Sequence, residues 1–205
     1  MTSGTGSGAT GGGTTRIHRA VDRPAAPWKN GGGITREIAV WPDGADTNDF
    51  AWRVSLADVT ADGPFSSFPG VDRILTVAEG AGMDLTIAGE RSLLDLRFAP
   101  GHFPGDRPTD CRLLDGPVVN FNVMYRREGA SAEVRVTTGE RILAPEPGET
   151  LLVVALEGTA VIDGPTPGSA TALGRYDAGL LTGPDVRRLR SSGRAAVVRL
   201  RPRSS

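Results

Sequence analysis

The chain has 205 residues, with 23 basic against 24 acidic groups and a formal net charge of −1, so bulk electrostatics do not hold it to nucleic acid or to a membrane. Its 28 glycines and 15 prolines, about a fifth of all residues, are too many turn-formers for a helical bundle. No apolar run is longer than Leu151 to Leu156, no apolar stretch at the N-terminus resembles a secretory signal, and the single cysteine, Cys111, has no partner in the chain; a cytoplasmic location is expected.

In chain order, residues 1–15 are Gly, Ser, Thr and Ala almost throughout and predict a disordered tail. Gly6 to Gly11 satisfies the spacing G-x-G-x-x-G, but no apolar strand precedes it, so it carries no dinucleotide reading. Strands are predicted over Ile34–Trp41, Phe50–Val59, Arg73–Gly80, Met83–Ala88, Ser92–Phe98 and Val118–Tyr125. The stretch Ala99–Gly105, with His102 in it, reads as a Pro/Gly loop. Further strands are predicted over Val134–Thr137, Thr150–Leu156, Gly158–Asp163, Leu180–Thr182 and Ala195–Arg201. Turns every eight to twelve residues and no 3.6-residue periodicity make the chain all-β, a sandwich or barrel.

The side-chain inventory excludes several chemistries. His18 and His102 have no second His or Cys at ligand spacing, so no metal site is expected. Cys111 lacks a CxxC partner and reads as a core filler. No serine stands in G-x-S-x-G. Lys29 is the one lysine among 23 basic residues, and so the one side chain able to form a Schiff base. The seven arginines from Arg187 to Arg203 alternate with Val198 and Leu200 and read as a solvated strand face.

Ile74-Leu-Thr-Val-Ala-Glu-Gly80 and Leu152-Val-Val-Ala-Leu-Glu-Gly158 superpose without a gap at an offset of 78 residues. Two strands joined by a Glu-Gly turn, present twice, suggest a duplicated β-barrel unit. The unit resembles the core of the cupin barrel. Aligning the first cupin motif on Gly80 puts Ser66, Phe68 and Arg73 where metal-binding cupins carry their ligands. On that frame the pocket is cupin-like, metal-free, and carries a guanidinium in place of a carboxylate.

A more specific resemblance covers the first two-thirds of the chain. Pro27-Trp-Lys-Asn-Gly-Gly-Gly33, Trp52-Arg-Val-Ser-Leu-Ala57, Gly63-Pro-Phe-Ser-Ser-Phe-Pro-Gly-Val-Asp-Arg73 and Gly116-Pro-Val-Val-Asn-Phe-Asn-Val-Met-Tyr-Arg-Arg127 resemble the HutD/Ves family. One departure is Asn120, where the family pattern has Asp. The resemblance implies an RmlC-like cupin of two jelly-roll barrels, here expected at 16–128 and 129–205. It also implies an association with bacterial histidine utilisation, and ligands among urocanate, formiminoglutamate and formylglutamate.

Candidate ligand-binding residues are Lys29, Asn30, Glu37, Arg53, Ser66, Phe68, Arg73 and Asn122. Arg73 leads, because a planar guanidinium matches a carboxylate bidentately and keeps its charge; the plain alternative is an arginine paired to Asp72, Glu79 or Glu37. Lys29 and Asn30 precede three glycines that let backbone N–H groups approach an anion. Arg53 and Ser55 share a polar strand face. Asn120, Asn122 and Met124 share another, and asparagines there suit an amide or carboxylate ligand. Glu37, on a face with Thr35, Ala39 and Trp41, is the candidate catalytic carboxylate.

The expected function is binding of a small carboxylate without cofactor or metal, regulatory or scavenging in role. A possible homodimer, and no nucleic-acid or membrane partner, complete the expectation. One alternative is a metal-independent isomerase, lyase or hydrolase with Glu37 as general base and Arg73 as anchor. Another is a stress-associated interaction protein with a vestigial pocket, in which an internal carboxylate already neutralises Arg73.

Overall fold

The computed structural model describes residues 12–28, 31–166 and 168–203. No α-helix occurs among them; one 3-10 turn, Ala20–Asp22, stands apart from the strands. In the N-terminal half the strands are β1 (Thr14–His18), β2 (Ala26–Pro27), β3 (Gly33–Trp41), β4 (Trp52–Val59), β5 (Gly63–Pro64), β6 (Val71–Glu79), β7 (Met83–Ile87), β8 (Glu90–Leu94), β9 (Pro100–Pro104), β10 (Thr109–Leu113) and β11 (Val118–Arg126). The C-terminal half adds β12 (Ala130–Leu143), β13 (Thr150–Glu157), β14 (Ala160–Asp163), β15 (Ala170–Leu173), β16 (Ala178–Thr182) and β17 (Arg187–Pro202).

These strands make three sheets, antiparallel throughout. A six-stranded sheet runs β2-β3-β4-β11-β6-β9 and a four-stranded one β5-β10-β7-β8. The seven-stranded sheet runs β1-β16-β13-β17-β14-β15, with β12 also on β17. Period-two alternation sends the two faces of the six-stranded sheet to different cores. On one face Val59, Leu75, Val77 and Val118 pack against Met83, Leu85 and Cys111 of the four-stranded sheet. On the other, Val54, Leu56, Ile74, Phe121 and Val123 meet Leu152, Val154, Leu156 and Val198 of the seven-stranded sheet. Strand β13 is apolar without alternation because both its faces are buried: its odd-numbered residues join Leu143, Ile162, Leu173 and Leu189 in a third core.

The offset of 78 extends beyond the two Glu-Gly turns. Phe98 and Tyr176 both adopt positive φ, 67° and 66°. The amide of Phe98 donates to the Val77 carbonyl at 2.9 Å and that of Tyr176 to the Ala155 carbonyl at 2.6 Å. Each preceding arginine lies over its aromatic neighbour and reaches the Glu of the opposite turn, Arg97 to Glu157 at 3.3 Å and Arg175 to Glu79 at 2.6 Å.

Three local expectations are corrected. Thr14 and Thr15 are not tail: they begin β1, which pairs with β16 of the C-terminal half, Thr14 opposite Thr182 and His18 opposite Ala178. An otherwise open sheet edge gains a partner there. Residues 1–11 lie outside the described residues. His102 is in strand β9, opposite Ile74, because prolines are tolerated at an edge strand whose N–H groups need no partner. A register shift between Glu37 and Ala39 on β3 breaks the alternation, so Ala39 turns with Ile38 into the core between the halves and away from Glu37.

Candidate anion-binding site

The inward side chains of β4, β6 and β11 form the floor of a cavity of about 880 Å³. Arg53 and Ser55 come from β4, Arg73 from β6, and Asn120, Asn122 and Met124 from β11. Trp28, Phe65, Ser66, Ser67 and Phe68 wall it from the loops. That wall is tied down: the Phe65 amide donates to the Thr109 carbonyl and the Phe68 amide to the Gly105 carbonyl, each at 2.8 Å. Trp28 donates its indole N–H to Thr35 at 2.7 Å and meets Phe65 edge-on at 6.3 Å.

Arg73 is buried, with its guanidinium 4.9 Å from the Phe65 ring centre and 5.2 Å from that of Phe103. Nε donates a long hydrogen bond, 3.4 Å, to Asn122 Oδ1. Among the described residues no carboxylate pairs with it, so Asp72, Glu79 and Glu37 are excluded as its neutralising partner: Asp72 takes Arg127, Glu79 takes Arg175, and Glu37 takes Arg53. Burial, with a smaller push from Arg53, lowers the guanidinium to about 10. It therefore keeps its charge at neutral pH, at a desolvation cost of several kcal/mol that aromatic faces offset in part. Room for its stem is made by Gly105, where a Cβ would stand 3.2 Å from Arg73 Cγ and 3.0 Å from the Val71 carbonyl.

The internal repeat supplies a comparison within one chain. At an offset of 78, Leu151 stands where Arg73 does. By strand pairing, Asn120 and Asn122 lie opposite Val77 and Leu75 of β6, and Ala195 and Val197 opposite Ala155 and Val153 of β13. The C-terminal half fills with Leu, Ala and Val the positions that the N-terminal half gives to an arginine and two asparagines. This strand geometry has no requirement of its own for a polar interior.

Of the candidates read from sequence, Arg53, Ser66, Phe68, Arg73 and Asn122 line this one cavity. Ser66 is exposed at the wall and Phe68 half-buried. Glu37 is not on the lining; its side chain is 41% exposed and accepts from Arg53 Nε at 2.7 Å. It holds Arg53 and does not face Arg73 across the cavity. Lys29 and Asn30 lie outside the described residues. Gly33 has a packing role, since a Cβ there would stand 2.4 Å from the Asp58 carbonyl and 3.2 Å from the Trp28 ring.

Sequence reasoning missed Phe65, Phe103 and Arg126. Phe65 and Phe103 sit between prolines and glycines and gave no periodic signal, although an aromatic beside an inward arginine is a recurring arrangement. Arg126 lies over the Phe50 ring and donates from Nε to its carbonyl. Cys111 is buried and its thiol is pushed up to about 12, chiefly by desolvation, which disfavours the thiolate that a nucleophile needs. No group of three His, Cys, Asp or Glu side chains is placed to hold a metal among the described residues. A second hollow of about 530 Å³ lies where the halves meet, beside Trp41, Trp52, Leu180 and Leu200, and its ionic lining residues, Arg16 and Asp43, bond each other at 2.7 Å.

Antiparallel sheets packed as two related halves, one of them enclosing a wide cavity, define a cupin-like fold. The nickel(II) complex of the bacterial pirin YhhW from Escherichia coli superposes with a TM-score of 0.67 at 10% identity, over 93% of this chain and 100% of that one, a likeness of fold alone. Closer is HutD from Pseudomonas fluorescens SBW25, determined in a formate condition: TM-score 0.80 and 34% identity over 93% of this chain and 100% of that one. The HutD family model matches residues 20–198, and the chain belongs to the HutD family. It is 38% identical over 140 residues to a 21.2 kDa protein of the hutC 3' region of Pseudomonas putida, 68% of this chain and 73% of that one. It is also 39% identical over 114 residues to protein Ves of Citrobacter koseri, 55% of this chain and 59% of that one. No helix among the described residues is long and apolar enough to cross a membrane.

Proposed function

We propose that this HutD-family chain binds a small polar acid from the breakdown of histidine, such as urocanate or formylglutamate, without metal or chemistry, and serves to sense or scavenge it. The observation that carries this reading is Arg73: a buried, protonated guanidinium with no carboxylate partner among the described residues, opening on a cavity large enough for such an acid. A carboxylate arriving there gains a charge-assisted bond and relieves a desolvation cost already present in the free protein. A vestigial pocket would have no reason to keep that cost, and a Glu37 base would need to face Arg73, whereas Glu37 is engaged by Arg53 at the rim.

The test is a thermal-shift titration of the full chain with urocanate, formiminoglutamate, formylglutamate and glutamate. A ligand at about 100 times its Kd adds roughly 2.7 kcal/mol, which at about 2–4 °C per kcal/mol moves Tm by some 5–10 °C. The reading requires one of these acids to produce that shift and Arg73→Leu to lose it. A flat response to all four, or an equal shift in the variant, overturns it.

A further inference from the structure

The same cavity holds a polar group that Arg73 does not use. Asn120 lies on its lining and is 2% exposed, yet its Oδ1 is a buried acceptor with no hydrogen-bond partner. Asn122, two residues along β11, is engaged by Arg73 Nε; Asn120 has no such neighbour. A buried acceptor left unpaired costs the equivalent of roughly 5- to 150-fold in an equilibrium constant. The matching position in the C-terminal half is Ala195, fully buried in an apolar core, so packing does not ask for an amide here. An unpaired acceptor and a cation without a carboxylate, on the lining of one cavity, describe the missing molecule: an anionic group for Arg73, and an N–H or O–H to donate to Asn120.

We infer that Asn120 is a specificity-determining residue, selecting small acids that carry an N–H or O–H donor near the carboxylate over isosteres that present only carbon there. Amides, amino acids and hydroxy acids are admitted on this rule; plain carboxylates and keto acids of the same shape are disfavoured. The discrimination works through loss, because a ligand without the donor leaves Oδ1 dry and unpaired. The inference rests on the anion-binding reading of Arg73 and adds to it the chemistry beside the charge.

N-acetylglycine and levulinate test it directly, since they share shape and charge and differ by one N–H replaced with CH₂. Both are titrated calorimetrically into the full-length protein, into Asn120→Leu and into Arg73→Leu. The wild type is expected to bind N-acetylglycine at least about tenfold more tightly than levulinate. Asn120→Leu should erase that ratio by weakening N-acetylglycine while levulinate holds. Equal affinity of the wild type for both, lost in Arg73→Leu, overturns the role of Asn120 and leaves the anion site standing. Failure of both acids to bind the wild type at millimolar concentration overturns the anion site itself. The comparison of two ligands on unmodified protein does not depend on any variant folding.

Discussion

Arg73 is the residue at which fold and function pull apart. Leu151 shows what the strand accepts at that position, so Arg73→Leu is expected to stabilise the unliganded protein by about 1–2 kcal/mol, once the cation–π attraction to Phe65 and Phe103 is set against the desolvation removed. Chemical denaturation reads this; a loss of stability would mean that the guanidinium is structural. The pH dependence has a definite sign. Folding lowers this guanidinium to about 10, so the unfolded chain binds its proton more tightly and the native state bears the cost wherever both hold it. The stability gap between Arg73→Leu and wild type should be constant below about pH 10 and narrow above it. Glu37→Gln carries the complementary expectation. With its carboxylate partner neutralised, Arg53 is freed for the cavity, and the affinity for an anion should rise a few-fold in calorimetry. A general base at Glu37 would instead show as turnover abolished by the same change. Arg73 was legible because the cupin frame anchored on Gly80 put it at a ligand position, where a planar guanidinium suits a carboxylate. Ala39 was grouped with Glu37 on one face because a one-residue bulge leaves no mark in a period-two pattern.

At the scale of elements, β1 joins Thr14–His18 to the sheet of the C-terminal half. Its His18 has an imidazole held below the ordinary histidine range, first by burial and then by Arg16 and Arg23, against a weaker pull from Asp43. The unfolded chain therefore takes up a proton on acidification before the native strand does. Stability supplied by docking β1 is complete above about pH 6.5 and falls as pH drops through that value toward the lower native one. In His18→Gln that decline below about pH 6.5 should be shallower; parallel pH–stability curves for the two proteins would count against it. The elements show how far pattern carries. Strands β4 and β11 are buried on both faces, but most of their polar residues fall on one of them, so apolar and polar side chains still alternate in the sequence and both strands were placed to within two residues. Strand β9 was hidden by its prolines, and β1 by threonines that look like linker. The long β12 and β17, 14 and 16 residues, were reduced to their apolar centres, because their outer parts are polar and bend at a shift near Gly139.

On the scale of the molecule, besides the pairing of β1 with β16, ion pairs and an apolar layer join the halves. The crossed pairs Arg97–Glu157 and Arg175–Glu79 are 38–49% exposed, a setting in which an ion pair contributes under about 1 kcal/mol. The apolar layer around Phe121, fully buried between the sheets, decides the outcome: Phe121→Ala is expected to cost about 3–5 kcal/mol, and Arg97→Ala little by comparison. Denaturant midpoints of the two variants check the ranking. Five of the seven C-terminal arginines pair with carboxylates, among them Arg190 with Asp163, and Arg199 and Arg201 with Glu149, while Arg194 lies over Phe98 and Arg203 donates to the Arg127 carbonyl. The repeat was visible in sequence as two Glu-Gly turns, but its asymmetry was not, since only the paired strands place Ala195 and Val197 against Asn120 and Asn122. That asymmetry makes the protein a fused pair in which one twin is solid and the other hollow. A cavity leaves the side chains around it with fewer packing partners than a filled core gives. Amides of β6 around Arg73 should exchange with deuterium through a cheaper opening than their partners in β13, and an acid seated in the cavity should bring the two to the same pace.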